Sequence, residues 1–265
     1  MGSYRAKKRL GQNFLESQII IDKLMEVIAP QRGERIIEIG PGRGALTLSL
    51  ASAKAQIATV EYDKDLIGYL SKLLRGYDNV EIIHADFLKY EPAYKSFKLV
   101  GNIPYNITSP VIEWAVAHSD SITAAYLMVQ KEMADRLGSA PGSKSWCPMA
   151  IFTQLHFDID ICFDVAAKHF RPPPKVISAV IRLTPREPAA IEDYGHFERL
   201  VRTSFGHRRK TLVNNLVPEL TADRQKVVEA LGSLGLTEKA RAEQISTGHF
   251  LALTKLLAKH NIFRV

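Results

Sequence analysis

The chain has 265 residues, 46% of them hydrophobic and 24% charged, enough for one sizeable core with room for a second, smaller domain and unlike a disordered composition. Two cysteines, Cys147 and Cys162, exclude a disulfide framework or a CxxC metal knuckle, and no apolar run of membrane-spanning length occurs. The net charge of +7 and pI near 9.3 favour a polyanionic partner, with nucleic acid first.

The basic residues "RAKKR" come first. Arg5, Lys7, Lys8 and Arg9 form an acid-free cluster, and the stretch lacks the apolar core of a secretory signal, so a cytoplasmic protein is the expectation. From about residue 17 to residue 183, short apolar runs alternate with helical patterns. "RIIEI" at 35–39, "IATV" at 57–60, "VEII" at 80–83 and "KLVG" at 98–101 read as buried strands. "GALTLSLASA" and "DLIGYLSKLL" between them carry apolar residues at helical spacing. Further strands are expected at "AAYLMV", 124–129, and "VISAVIRL", 176–183. The alternation predicts an α/β fold with a parallel, doubly wound sheet, whose ligands lie beyond the carboxyl ends of the strands.

A polar, proline-containing stretch at 184–195 reads as a linker. Beyond it only helical patterns occur, including one starting at Asp223, a natural cap. The expected division is residues 1–185 for a catalytic domain and 186–265 for a small all-helical one. Arg208, Arg209 and Lys210 place a second basic cluster in the latter.

The first strand runs into "EIGPGRG", with Gly40, Gly42 and Gly44 before a helix. Glycines there admit positive φ and close approach of a ligand to the backbone; a tight structural turn would use them equally well. The GxGxG spacing with Glu38 ahead of it departs from the dinucleotide pattern and suits a nucleoside with an amino-acid tail, as in S-adenosylmethionine. Glu61 ends the second strand, where a carboxylate can accept from both ribose hydroxyls. Asp86, with Phe87 beside it, follows the third and can accept from an adenine amine.

"GNIPYN" follows the fourth strand. The Asn102 amide oxygen and the Ile103 carbonyl can accept the two N–H groups of an adenine N6 amine, freeing its lone pair. Pro104 fixes the direction of that carbonyl. Tyr105 offers a flat face for an extruded base. Transfer from sulfur to nitrogen then needs positioning more than a strong base.

The set "KKRLGQNFL", "EIGPGRGALT", "VEYD", "HADFL", "GNIPYNITSP", "VQKEMADRL", "FRPPPKVISAVIRL", "FGHRRKTLVNNL" and "RAEQIS" resembles the adenine N6,N6-dimethyltransferases of small-subunit ribosomal RNA, above all the bacterial 16S enzymes. It covers residues 5 to 260. The resemblance implies a Rossmann-like class I S-adenosylmethionine-dependent fold and dimethylation of two adjacent adenines in a hairpin near the 3′ end of 16S rRNA; a role in subunit biogenesis, a monomeric state and, from the cysteine and histidine pattern, no metal are the further expectations. It implies that Asn13 and Leu15 close over the cofactor, held also by Gly40, Gly42, Glu61, Asp86, Phe87 and Asn102. It places Phe170 of "FxPPPKV" beside the target base, with Lys168, Arg171 and Lys175 around it for RNA. Lys7, Lys8, Arg9, Arg208, Arg209 and Lys210 complete the expected RNA contacts. Trp146 and Cys147, where the family often has Tyr-Gly, and the Thr108-Ser109 order depart from its pattern. The related large-subunit enzymes of macrolide resistance share "NIPYNI". A DNA adenine methyltransferase, or a ribosome-assembly factor with secondary methylation, would also be compatible with parts of the sequence.

Overall fold

The computed structural model describes residues 6–187, 191–220 and 222–259, with the side chain of Lys8 outside that set. Contacts divide the chain into two units, Met1–Ala134 with His156–Arg186, and Asp135–Leu155 with Glu187–Val265.

The first unit opens with a two-residue strand, β1 (Phe14–Leu15), and α1 (Gln18–Ile28). Ile20, Ile21, Leu24 and Ile28 form the buried stripe of α1, at the spacing of one helix face. Strand–helix alternation follows: β2 (Arg35–Ile39), α2 (Ala45–Ser52), β3 (Gln56–Glu61), α3 (Lys64–Leu73), β4 (Val80–His84), β5 (Phe97–Asn102), α4 (Thr108–Ala117) and β6 (Ile122–Gln130). After α5 (Lys131–Leu137) and α6 (Pro148–His156) come β7 (Phe157–Val165), β8 (Phe170–Arg171) and β9 (Ser178–Pro185). The main sheet has the order β4-β3-β2-β5-β6-β9-β7. Its first five strands are parallel, and β2 and β3 are almost wholly buried, as strands covered on both faces must be.

Two features extend the expected parallel, doubly wound sheet. β9 and β7 are antiparallel to their neighbours, so the sheet is mixed. β7 exposes Asp158, Asp160, Ile161 and Asp164 and shifts register between Ile161 and Phe163, an edge strand whose acidic side chains mask its apolar run from a sequence reading. The chain order reverses direction across β2, between β3 and β5, and this switch point puts the carboxyl ends of β2, β3, β4 and β5 around one crevice.

The second unit contains α7 (Tyr194–Ser204), α8 (Leu212–Glu219), α9 (Arg224–Ser233) and α10 (Thr247–Lys259). Asp223 caps α9 by accepting the Gln225 N–H. The division expected at residue 185 needs one correction, because residues 135–155 belong to this helical unit. Trp146, Ala150, Ile151, Phe152 and Leu155 share a core with Phe197, Leu200, Leu216, Phe250 and Leu253. Trp146, 1% exposed, donates its indole N–H to the Ile245 carbonyl at 2.9 Å, so this departure from the family pattern is a core anchor.

Candidate active site

The loop between β2 and α2 winds through left-handed backbone at Gly40, Gly42 and Gly44. At Gly42 the requirement for glycine is double, since φ is +56° and a Cβ would come within 2.8 Å of the Phe14 ring. Phe14 is thereby laid against the loop from β1. Gly40 has open space where a side chain would project. The loop lines a cavity of about 300 Å³, whose walls also include Asn13, Leu15, Glu61, Asp86, Phe87, Asn102 and Tyr105. Gly101, the first residue of "GNIPYN", lines it too, and a Cβ there would lie 2.9 Å from the Ile39 carbonyl oxygen.

Three carboxyls stand at successive strand ends around this cavity. Glu61, 6% exposed at the end of β3, accepts the Asp63 N–H at 2.7 Å and the Gly42 N–H at 3.4 Å. Burial raises its pKa, and those two N–H groups oppose the rise. Asp86 caps the short 3-10 turn Phe87–Lys89 by accepting the Leu88 N–H at 3.1 Å. Glu38, on β2, is the most buried, and its Oε2 accepts the hydroxyls of Thr47 at 2.7 Å and Thr59 at 3.1 Å. Desolvation outweighs both bonds and pushes its pKa up to about 7. Thr47 and Thr59 carry no motif of their own; only their placement on α2 and β3 reveals the role.

β5 ends at Asn102, whose Nδ2 donates to the Asn13 carbonyl oxygen at 2.8 Å. A carbonyl can only accept, so this bond fixes the amide nitrogen and leaves Oδ1 as the acceptor available at the cavity. Ile103 is anchored by its N–H to the Met128 carbonyl at 3.0 Å, and among the described residues no donor reaches its own carbonyl. Pro104 holds φ −55° and ψ 129°, leading into the 3-10 turn Tyr105–Ile107. The Tyr105 hydroxyl is 2.8 Å from Ser178 Oγ, which tethers the ring to the start of β9.

Several expected roles change. Lys7, assigned to RNA, reaches Asp63 at 2.6 Å and Asp65 at 2.7 Å, while Gln12 donates to Asp63 at 3.1 Å. These contacts pin the N-terminal segment beside α3, because Asp63, 2% exposed in its side chain, draws the cation in. Phe170, expected to flank the target base, is 1% exposed and does not line the cavity. β8 pairs with β1, Leu15 opposite Phe170, and the ring sinks into the core with Ile20, Leu24 and Val180. It is a packing anchor of the segment that carries Asn13 and Leu15. Arg171 remains 62% exposed with Glu16 3.9 Å away, and Lys168 and Lys175 are exposed. Arg9 is exposed, whereas Arg5 and the side chain of Lys8 lie outside the described residues.

In the helical unit Arg208, Arg209 and Lys210 are exposed. Arg208 donates to the Lys144 carbonyl and, with Lys144, Lys239 and Arg241, lines a second cavity of about 320 Å³. Ser143 and Glu243 also line it, and the buried Ser143 hydroxyl has no hydrogen-bond partner among the described residues. The additional cations are scattered over about a hundred positions, so only the fold gathers them. Among the described residues, no group of three or more His, Cys, Asp or Glu side chains could hold a metal ion, and no helix is long and apolar enough to cross a membrane.

The chain is 37% identical over 261 residues to a ribosomal RNA small subunit methyltransferase A of Francisella tularensis, covering 96% of this chain and 98% of that one. A protein of the same name from Pseudomonas putida is 38% identical over 262 residues, 96% of each. Among solved structures, a dimethyladenosine transferase from Plasmodium falciparum superposes with a TM-score of 0.80 at 26% identity, over 94% of this chain and 98% of that one. The 23S rRNA methyltransferase ErmE gives 0.73 at 29% identity, over 93% and 100%. The family model for ribosomal RNA adenine dimethylase matches residues 3–259, nearly the whole length, and with the glycine loop, the strand-end acids and the Asn102–Tyr105 turn in one crevice this chain belongs to that family.

Proposed function

We propose that this protein uses S-adenosylmethionine to dimethylate the N6 amines of two adjacent adenines in the 3′-terminal hairpin of small-subunit ribosomal RNA. The observation that carries the reading is the Asn102 carboxamide, held by its nitrogen with its oxygen available beside an uncommitted Ile103 carbonyl.

The cavity fits the cofactor on chemical grounds. Its open face at Gly40 lets a ligand meet the backbone, and Glu61 and Asp86 favour a ligand that carries positive charge. Gly40, Gly42 and Asn13 would hold its amino-acid end, Glu61 the ribose, and Asp86 with Phe87 the adenine. When bound, S-adenosylmethionine supplies an electrophilic methyl group on sulfur.

This chain's own residues do the rest. Asn102 Oδ1 and the Ile103 carbonyl oxygen accept the two amine hydrogens of the target base and free the nitrogen lone pair. Pro104 keeps the second acceptor in place. Tyr105 stacks on the base, worth about 1–3 kcal/mol, with its hydroxyl end tied to Ser178 so that little ordering remains to be done. The Tyr105 hydroxyl stays protonated, since burial raises its pKa. Phe14 and Leu15 exclude water from the glycine loop.

The exposed Arg9, Arg171, Lys175, Arg209 and Lys210, and the cavity of Lys144, Arg208, Lys239 and Arg241, are the proposed contacts to RNA phosphates. On this reading the first unit is catalytic and also contributes Arg9, Arg171 and Lys175 to RNA, while the second serves RNA binding. The protein acts as a monomer in the cytoplasm, on the small subunit or its precursor, with a part in subunit biogenesis. The test is incubation with labelled S-adenosylmethionine and either unmethylated small subunits or large-subunit RNA. Dimethyladenosine in the small subunits alone is the expected result; product in large-subunit RNA alone would move the protein to the other branch.

A further inference from the structure

Behind the proposed adenine seat lies a residue that no motif marks. Trp114, on α4, is 7% exposed, and its ring centroid sits 4.4 Å from that of Phe87. Its indole N–H donates to the Tyr90 carbonyl at 3.2 Å. One turn later His118 stacks on the same indole, centroids 3.9 Å apart and planes 18° from parallel. The His118 ring nitrogens lie 2.8 Å from the Trp114 carbonyl and 3.3 Å from Glu91 Oε2.

These contacts hold the turn after β4 at both ends, through the Phe87 ring on one side and through Tyr90 and Glu91 on the other. Phe87 lines the first cavity and Trp114 does not, so any effect of Trp114 on a ligand passes through the turn. Burial alone would need only an apolar side chain. The N–H bond and the stack also fix the plane of the ring against which Phe87 rests. α4 begins at Thr108, directly after the Tyr105–Ile107 turn that follows the Asn102–Pro104 grip, so the helix that braces the Asp86–Phe87 turn is joined to the target-base grip by a short stretch of chain.

We propose that Trp114, with His118 behind it, is a positioning residue for cofactor recognition, setting the Asp86–Phe87 turn to the adenine ring. The inference rests on the reading of Asp86 and Phe87 as the adenine seat, and the test separates the two. Trp114→Leu is expected to weaken binding of S-adenosylhomocysteine, measured by calorimetry on the full chain, by about three- to thirtyfold. It should raise KM for S-adenosylmethionine by a similar factor with kcat within about twofold, the mark of lost ground-state binding. Trp114→Phe, which keeps a ring but loses the N–H, should fall between parent and Leu, and decides the matter if the Leu variant does not fold. The chain has two tryptophans, so in Trp146→Phe the emission of Trp114 should change as S-adenosylhomocysteine is added.

Parent-like affinity in Trp114→Leu or, failing that, Trp114→Phe, while Asp86→Ala is weakened, overturns the brace and leaves the seat standing. Unchanged affinity in Asp86→Ala overturns the seat and the brace with it. Equal falls in kcat and in cofactor affinity would mark a merely structural tryptophan and also overturn the inference.

Discussion

The cavity of the first unit and that of the second are similar in size but opposite in means. The first is lined by apolar side chains, amides and backbone, with Glu38 and Glu61 buried and already hydrogen-bonded. The second is ringed by Lys144, Arg208, Lys239 and Arg241, all exposed at the residue level. Fixed dipoles in a dry crevice discriminate by geometry and respond little to ionic strength, whereas exposed cations attract phosphate without reading sequence and are screened by salt. A protein that must place one amine within bonding distance of a methyl group, on a very large polyanion, needs both, and here they are built on separate units.

If the first cavity owes its character to burial, the largest effect should come from its most buried acid. Glu38 keeps its proton up to about pH 7 in the folded chain but releases it near 4.5 when unfolded. Its contribution to stability is therefore complete below about pH 4.5 and is lost as pH rises through 7, a change on the order of 3 kcal/mol. Glu38→Gln, which stays neutral, should remove that decline. Denaturant unfolding of both proteins across this window would show it, and parallel profiles would mean that the carboxyl is not desolvated.

A smaller effect separates the two cavities directly. Tyr105→Ala should lower kcat/KM for the RNA by about 5- to 150-fold, the loss of one stacked base, with the same factor at low and high salt. A loss that shrinks with rising salt would place Tyr105 among the electrostatic contacts.

The smallest effect per residue belongs to the second cavity. Lys239→Ala and Arg241→Ala should each reduce the dependence of log affinity on log salt by about one unit, with kcat on bound substrate unchanged. An unaltered slope would remove that cation from the RNA footprint.

Much of the first cavity was legible because its parts are local. The glycine loop, Glu61, Asp86 and Asn102 each follow a strand readable from its apolar run, and strand ends in a doubly wound sheet converge by topology. What failed to show were partners far apart in the chain. Lys7 reads as a free cation until Asp63, 56 positions on, is folded against it. Phe170 reads as an exposed loop aromatic until the pairing of Leu15 with Phe170 buries it. Thr47 and Thr59 became visible only through Glu38, and Lys144, Lys239 and Arg241 only through the packing that gathers them with Arg208. The acidic β7 escaped because its aspartates interrupt the apolar run, and its antiparallel pairing with β9 made the sheet mixed. Residues 135–155 joined the helical unit through Trp146 and its neighbours, a long-range core that no linker composition announces.

On the proposed reading a neutral carboxamide oxygen, oriented by the Asn13 carbonyl, grips the target amine. Single-turnover transfer to unmethylated small subunits, with cofactor affinity measured on the same preparation of Asn102→Ala, tests it most directly. The expected result is a fall in transfer rate of at least about a hundredfold, with cofactor affinity within about tenfold of the parent. Transfer within about threefold of the parent would contradict it.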